Sequence, residues 1–416
     1  MGHFRWVICS LLLFAATKSY MDRQVLSVLK PTLQHSFGWN EIDYGNIVFT
    51  FQTCYAIGIV FAGRLVDRLG TRFSFAAAMV FWSLASMSYG LARSLPGFMI
   101  AAAALGLGQS GLFPASIKCV AEWFPKKDRS LATGIFNSGT SIGAIITPWV
   151  VVLVTTRMGL SWPWAFYIVG GLGFVWVILW LVLYRHPSQS PWVSKGELAY
   201  INSDPPGTVS KIPWSRLFPL RQTWAFLLGK LLTDPVWWFY LFWAPDLFQR
   251  RFGLTLGQIR WPIAVLYLIS DAGSFGGGYI SGWFIRRGAS INSGRKTAML
   301  ICAVAVTPVI FAARSNHVWV AVALIGLAAA AHQGFSANLF TLPSDMFPTR
   351  AVGSVVGIGG TAGAIGGMVI AKTVGHVLQR TGSYQIPLII AGSAYLVALG
   401  LIQLLVPHLE PASVEM

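Results

Sequence analysis

The sequence predicts an all-α integral membrane protein with twelve transmembrane helices arranged in two six-helix bundles. Hydrophobic residues make up 55% of the 416 residues and charged residues only 11%. The mean hydropathy is +0.62, which excludes a soluble globular protein. The apolar residues form about a dozen stretches, each near the roughly 20 residues that a helix needs to cross a hydrocarbon core about 30 Å thick. The chain is therefore expected to cross a lipid bilayer many times.

Twelve apolar stretches are predicted to be helices, six in each half of the chain. The predicted helices cover residues 6–29, 44–66, 74–93, 97–121, 131–154, 163–184, 223–248, 260–284, 296–313, 318–343, 351–375 and 384–406. The first stretch runs into Lys18, Asp22 and Arg23 without a small-residue cleavage site, so we interpret it as a retained helix and not as a signal peptide. Charges inside a membrane helix are unfavourable unless they face a protein-lined cavity. They therefore indicate where the functional site lies.

The long polar segment 185–222 separates the two halves and is rich in Pro and Ser. We predict that it is a cytoplasmic linker between an N-terminal bundle of residues 1–184 and a C-terminal bundle of residues 223–416. The net charge is +16, and Lys and Arg collect in the cytoplasmic loops of membrane proteins. We therefore assign the excess charge to those loops and expect no nucleic-acid partner. Both termini are predicted to be cytoplasmic, in the inner membrane of a prokaryote.

Two short patterns recur in the two halves of the chain. Five residues return 223 positions later: Glu122, Phe124, Pro125, Gly134 and Ile135 as Asp345, Phe347, Pro348, Gly357 and Ile358. Lys18 and Asp22 return 212 positions later as Lys230 and Asp234. Related halves around a central site are typical of secondary transporters.

The sequence contains no recognisable catalytic or metal-binding pattern. Its four cysteines lie in apolar segments without CxxC spacing or a nearby His cluster, so we expect buried free thiols and no bound metal. An enzyme would need a metal or nucleophile constellation, and a sensor would need a soluble output domain. We therefore expect neither enzymatic activity nor a cofactor.

Several motifs resemble a known family of transporters. Residues 63–72, which read GRLVDRLGTR, resemble the signature loop of the major facilitator superfamily. Residues 20–24, 122–125, 233–240 and 332–338 resemble the anion:cation symporters, and most closely the hexuronate transporters. The resemblance implies the major facilitator fold and import of a sugar-acid anion with protons by alternating access. An aldonate or organic-anion carrier, or an exchanger with weakened or absent proton coupling, is the alternative. We expect a monomer.

Arg23 is the predicted carboxylate-binding residue, because its guanidinium is permanently charged and offers a planar fork of donors. The alternative is an arginine near the outer helix end that reaches water. Asp22 is the predicted proton carrier, because burial favours protonation of a carboxylate and nearby cations oppose it. Alternatively, Asp22 forms a permanent ion pair with Lys18, one turn away on the same helix face.

In the fourth predicted helix, the family pattern has an arginine followed seven residues later by a glutamate that is tied to proton coupling. This sequence has Ala102 and Gln109 instead. An amide binds a hydroxyl but does not titrate, so Gln109 is assigned to substrate binding and the coupling mechanism is in question. We expect Lys18 to restore, near the proton site, the positive charge that Ala102 lacks.

Further residues are assigned to substrate binding or to gating. Tyr20 and Tyr55 correspond to substrate-facing positions of the family, and Lys118 is predicted to hold the anion or, alternatively, to pair with Glu122. The other predicted substrate-binding residues are Asn137, Trp237, Tyr240, His332, Gln333 and Asn338. The predicted gating residues, which alternatively only set the topology, are Asp67, Arg68, Arg72, Glu122 and Arg129.

Overall fold

The computed structural model describes residues 2–203 and 214–412, and all regular structure in these ranges is helical. The helices are α1 (Phe4–Phe37), α2 (Glu41–Leu69), α3 (Thr71–Leu91), α4 (Leu95–Gln109), α5 (Leu112–Trp123), α6 (Lys126–Val152), α7 (Pro163–Leu183), α8 (Lys195–Ile201), α9 (Trp214–Leu217), α10 (Arg221–Phe252), α11 (Arg260–Arg286), α12 (Ile291–Val306), α13 (Val318–Leu339), α14 (Leu342–Met346), α15 (Thr349–Thr381) and α16 (Gln385–Leu405).

Ten helical stretches within the described ranges are long and apolar enough to cross a membrane. The prediction of an all-α, multi-pass membrane protein is thereby confirmed. Two more long helices, α1 and α10, carry Lys, Asp and Arg along their length, which lowers their hydropathy. With these two included, the long helices are consistent with the twelve predicted spans.

Two predicted helices are in fact broken, and proline supplies the reason. The predicted helix 97–121 is α4 followed by α5, and the predicted helix 318–343 is α13 followed by α14. Pro114 and Pro343 lie in the first turn after each break. Proline has no N–H to donate to the preceding turn, so the helical hydrogen-bond pattern is interrupted there.

The helix ends also differ from the predicted bounds. The first helix was predicted to end at residue 29, but α1 continues to Phe37 and is closed by Gly38 at φ 68°, the left-handed geometry that glycine adopts at helix ends. Its last turns are polar, and hydropathy marks only the part of a helix that matches the apolar layer. The helix predicted to begin at residue 223 is α10, which begins at Arg221, inside the predicted linker. The predicted linker also contains α8.

The chain divides into two compact units. Unit 1 contains residues 1–39 and 46–207, and unit 2 contains residues 40–45 and 208–416. In unit 1, α1 packs on α6 so closely that a Cβ at Gly143 would overlap the carbonyl oxygen of Thr17. In unit 2, α10 packs on α15, where a Cβ at Gly366 would overlap the carbonyl oxygen of Leu231. Both contacts depend on glycine, which lets helix backbones approach.

The segment after α7 is anchored to the start of α1. The carboxylate of buried Glu197 on α8 accepts hydrogen bonds from the backbone N–H groups of Phe4 and Arg5 at 3.2 and 3.1 Å. It also accepts one from the Arg5 guanidinium at 3.3 Å. A carboxylate at a helix N-terminus satisfies otherwise unpartnered N–H groups and complements the helix dipole. The described part of the linker therefore stabilises the first helix.

Candidate functional site

A buried charged cluster lies in the middle of α1 in unit 1. Lys18 and Asp22 are 0% exposed and Arg23 is 2% exposed. The ammonium of Lys18 lies 2.8 Å from the carboxylate of Asp22, which is the ion pair that their spacing of four residues favours. These three side chains carry two positive charges and one negative charge, so the cluster has a net charge that suits an anion.

Gln109, at the end of α4, is hydrogen-bonded to both Asp22 and Arg23 of α1. Its side-chain oxygen accepts a hydrogen bond from Nε of Arg23 at 2.7 Å. Its amide nitrogen donates to Oδ2 of Asp22 at 3.3 Å and to the carbonyl of Ser19 at 3.2 Å. An amide suits this position because it offers an acceptor to the cation and a donor to the carboxylate.

Three aromatic rings surround the Arg23 guanidinium. Its central carbon lies 4.9 Å from the ring centre of Tyr20, 5.1 Å from that of Phe51 and 5.0 Å from that of Tyr55. Rings at this distance attract a cation and fix the plane of a guanidinium. The sequence indicated the two tyrosines but not Phe51, whose aromatic side chain looks like ordinary packing in an apolar helix.

Two serines of α3 are hydrogen-bonded to the Lys18–Asp22 ion pair. Ser83 accepts a hydrogen bond from Lys18 at 3.0 Å, and Ser86 donates one to Asp22 at 2.7 Å. The ammonium of Lys18 also lies 5.6 Å from the ring centre of Trp82. These residues were not predicted from the sequence, although two serines three positions apart lie on one helix face in an otherwise apolar segment.

Two further glutamines in unit 1 were also missed. Gln24 on α1 and Gln52 on α2 are both 0% exposed. Within the described part of the chain, neither the oxygen nor the nitrogen of either amide has a hydrogen-bond partner. Buried polar groups are nearly always hydrogen-bonded in folded proteins, so these amides need an explanation.

Unit 2 contains a second Lys–Asp pair at the position that the internal repeat predicts. The ammonium of Lys230 lies 2.7 Å from the carboxylate of Asp234 and 4.1 Å from the ring centre of Phe340. Gly363 of α15 faces this pair, and a Cβ there would overlap the Asp234 carboxylate. The glycine therefore provides the space in which the pair forms.

The predicted residues of unit 2 fall into two groups. Trp237 stacks on the ring of His332 with ring centres 5.4 Å apart, and Nδ1 of His332 lies 2.6 Å from the hydroxyl of Tyr395. The hydroxyl of buried Tyr240 has no hydrogen-bond partner in the described ranges. The rings of Trp237, His332 and Tyr395, which belong to α10, α13 and α16, form one cluster.

The second group of predicted residues in unit 2 consists of Asn338 and Gln333, which lie on α13. The amide nitrogen of Asn338 donates to the carbonyls of Gly277 and Gly334, both at 2.9 Å, so it holds α11 against α13. Its side-chain oxygen is buried and has no partner among the described residues. Gln333 is half-buried on α13.

Two predicted substrate residues of unit 1 lie on other helices. Lys118 on α5 donates to the carbonyl of Val66 at 3.0 Å, and Asn137 on α6 is exposed. The buried ion pair and its hydrogen bonds lie instead on α1, α3 and α4. The roles of Lys118 and Asn137 in binding stay predictions.

The predicted gating residues contact backbone and hydroxyl groups. Arg72 donates to the carbonyl of Leu181 at 2.6 Å, and Arg129 donates to those of Phe124 and Ala121 at 2.9 and 3.0 Å. Arg68 is exposed, and the side chain of Asp67 lies outside the described residues.

Glu122 accepts hydrogen bonds from Thr71 at 2.9 Å and from the phenol of Tyr184. Burial raises the pKa of Tyr184 above its ordinary range, so this phenol stays protonated and acts as a donor. The carboxylate is thus held by hydroxyl groups at the junction of α3, α5 and α7. A gating role for these residues stays a prediction.

Comparisons with known proteins agree with the resemblance seen in the motifs. The hexuronate transporter of Escherichia coli (strain K12) is 30% identical over 384 residues, which cover 91% of this chain and 88% of that protein. The galacturonate transporter of Dickeya chrysanthemi is 32% identical over 281 residues, which cover 66% of this chain and 81% of that protein.

The fold is shared with a solved transporter structure. The crystal structure of a bacterial homologue of the human lysosomal transporter Spinster, inward-facing and unoccupied, matches with a TM-score of 0.72 at 17% identity and covers 98% of this chain and 96% of that chain. The model of the Major Facilitator Superfamily matches residues 12–371. The chain therefore belongs to the major facilitator superfamily and is a membrane transport protein, not an enzyme.

Proposed function

We propose that the protein imports a hexuronate or related sugar-acid anion by alternating access of its two related halves. The observation that carries this proposal is the buried cluster of α1, in which Lys18 and Arg23 outweigh the single charge of Asp22. Buried charge is unfavourable unless it is compensated, and the carboxylate of a sugar acid has the opposite sign to the net charge of these three side chains.

Arg23 is the residue that binds the carboxylate in this proposal. The rings of Tyr20, Phe51 and Tyr55 pack around its guanidinium, and Gln109 binds its Nε. A guanidinium that is held in one plane is suited to bidentate binding of a carboxylate. The names of the hexuronate and galacturonate transporters among the relatives support the same class of substrate.

The charge of the cluster supports proton symport as the mode of transport. Protonation of Asp22 would release Lys18 from its ion pair and raise the net charge of the cluster by one, so an anion would bind more tightly. By linkage, a bound anion would favour protonation by the same free energy. Moving one anion against the membrane potential costs about 2.3 kcal/mol per 100 mV, and cotransport of one proton cancels that charge.

A second candidate function is an exchanger or an uncoupled carrier. Gln109 occupies the position of the coupling glutamate in the related family and contacts both Asp22 and Arg23. Because the amide cannot take up a proton, Asp22 is the only titratable acid in this cluster of described residues. If Lys18 keeps Asp22 ionised throughout the cycle, transport is independent of the proton gradient.

We propose in addition that the protein resides in the inner membrane of a prokaryote as a monomer with both termini in the cytoplasm. The lipid bilayer, the sugar acid and protons are its proposed partners. The two six-helix bundles, residues 1–184 and 223–416, are proposed as the moving parts, with Asp67, Arg68, Arg72, Glu122 and Arg129 as gating residues.

Uptake of radiolabelled glucuronate and galacturonate tests the proposal. It is measured in proteoliposomes whose outside is one pH unit more acidic than their inside. One pH unit supplies about 1.4 kcal/mol per proton, so we expect about tenfold accumulation at one proton per anion. Asp22→Asn is expected to abolish accumulation. Glu410→Gln removes an exposed carboxylate and is the matched control, expected to behave as wild type.

The other outcomes separate the candidates. Uptake that ignores the gradient would support the exchanger or uncoupled carrier. Failure to take up either sugar acid would refute a hexuronate transporter and point to aldonates or other organic anions.

A further inference from the structure

Gln24 and Gln52 differ from the other buried glutamine of unit 1. All three are 0% exposed, but the amide of Gln109 makes three hydrogen bonds. The amides of Gln24 and Gln52 have no hydrogen-bond partner within the described ranges. Burying an unpartnered amide is unfavourable, whereas a leucine or methionine of similar volume would fill the same space without that cost.

Each of the two glutamines lies one helical turn from a tyrosine whose ring contacts Arg23. Gln24 follows Tyr20 by one turn on α1, and Gln52 precedes Tyr55 by one turn on α2. Residues three or four positions apart lie on the same face of a helix. The two tyrosine rings lie 4.9 and 5.0 Å from the guanidinium carbon of Arg23. Each unpartnered amide is therefore one helical turn from a ring that contacts the predicted carboxylate-binding group.

The chemistry of a primary amide fits a sugar hydroxyl. An amide has two donors and one acceptor oxygen, and a hydroxyl both donates and accepts. A sugar acid carries several hydroxyls next to its carboxylate. A ligand whose carboxylate binds Arg23 would thus bring hydroxyls within reach of groups one turn away on each of two helices.

We propose that Gln24 and Gln52 form a hydroxyl-binding subsite that lets the protein distinguish sugar acids from plain carboxylates. This inference rests on the proposed transport of sugar acids. It adds Gln24 and Gln52 to the predicted substrate-binding residues. In unit 2, the amide nitrogen of the predicted substrate-binding residue Asn338 is already used by the carbonyls of Gly277 and Gly334.

Methionine substitutions test the subsite, because methionine is similar in length to glutamine and has no comparable hydrogen-bonding group. Inhibition of glucuronate uptake in proteoliposomes is measured with glucuronate itself and with hexanoate, a carboxylate without hydroxyls. For Gln24→Met and Gln52→Met we expect glucuronate to bind about tenfold more weakly and hexanoate to bind unchanged. Gln189→Met makes the same change at an exposed linker position and is expected to match wild type.

Thermal unfolding separates ligand recognition from packing. Without ligand, the two methionine variants are expected to unfold at the wild-type temperature or above it, because each loses unpartnered buried groups. The stabilisation by added glucuronate is expected to be smaller than in wild type. A structural role would instead lower the unfolding temperature of the empty protein.

Three results would overturn the subsite. The first is an unchanged preference for glucuronate over hexanoate in both variants. The second is failure of both variants to fold, which would assign the amides to packing. The third is a wild-type protein that transports no sugar acid. This result refutes the proposed function as well, and it is obtained from the wild type before any variant is made.

Discussion

Replacement of Gln109 by glutamate tests whether an amide is required between Asp22 and Arg23. In the structure, the side-chain oxygen of Gln109 accepts from Arg23 at 2.7 Å, and its nitrogen donates to Asp22 at 3.3 Å. In Gln109→Glu, a carboxylate oxygen replaces that nitrogen. Two carboxylates would then face each other at about the same distance.

The magnitude of the perturbation follows from Coulomb's law. Two unit charges 3.3 Å apart repel by about 5 kcal/mol at an effective dielectric constant of about 20. Two carboxylates this close do not both ionise readily, so the pair is expected to retain one proton near neutral pH. Loss of that proton at higher pH would remove the net positive charge of the cluster. The variant is therefore expected to bind its anion at least tenfold more weakly at about pH 8 than at about pH 5.5.

Counterflow of glucuronate in proteoliposomes without a proton gradient measures this effect, because exchange at equal pH reports binding and not coupling. Wild type is expected to show a weaker pH dependence than Gln109→Glu. Gln189→Glu adds the same charge at an exposed linker position and is expected to match wild type. The reasoning is refuted if Gln109→Glu and wild type have the same half-saturation concentration across this pH range.

Two further predictions concern the buried ion pairs. Lys18→Met removes the cation 2.8 Å from Asp22 and is expected to destabilise the protein by about 3–5 kcal/mol. Thermal unfolding in detergent measures the loss of stability. Adding Asp22→Asn to Lys18→Met should largely restore the unfolding temperature. An unchanged unfolding temperature in Lys18→Met would contradict a buried ion pair. Gly363→Ala places a methyl group on the Asp234 carboxylate and is expected to lower folded yield and uptake. At Gly360 no described atom lies within 4 Å of an added Cβ, so Gly360→Ala is the control and should leave yield and uptake unchanged. Equal yields from both alanine variants would show that the contact between Gly363 and Asp234 is not tight.

Hydropathy could locate the long helices because burial in a bilayer demands near-continuous apolar sequence. It could not find their ends, since the polar last turns of α1 lie beyond its apolar part. The breaks before Pro114 and Pro343 were in principle visible, because proline interrupts helical hydrogen bonding. Proline is also tolerated inside long helices, as Pro235 and Pro245 of α10 show, so sequence alone does not distinguish the two cases.

The candidate site was predictable where it depends on spacing within one helix. Lys18 and Asp22 are four residues apart, and such pairs meet on one helix face. Gln109 is different, because its contacts with α1 depend on how α4 is placed against that helix. The same holds for Ser83 and Ser86 of α3. The unpartnered amides of Gln24 and Gln52 could not be predicted either, because the hydrogen-bond partners of a buried amide depend on how the helices pack.

In the proposed mechanism, the changes in α4 make binding of the proton and of the anion depend on the same residue, Asp22. The family's arginine and glutamate are replaced here by buried Ala102 and Gln109, which removes one charge of each sign and leaves the net charge of the region unchanged. The positive charge of the cluster therefore comes from α1 alone, where Asp22 is balanced by Lys18 at 2.8 Å. Because Asp22 is the only carboxylate among the described residues of this cluster, Asp22→Asn would fix the cluster in its more positive state. Such a variant should bind its anion more tightly than wild type yet lose accumulation, since tight binding that no proton can reverse slows release on the other side of the membrane.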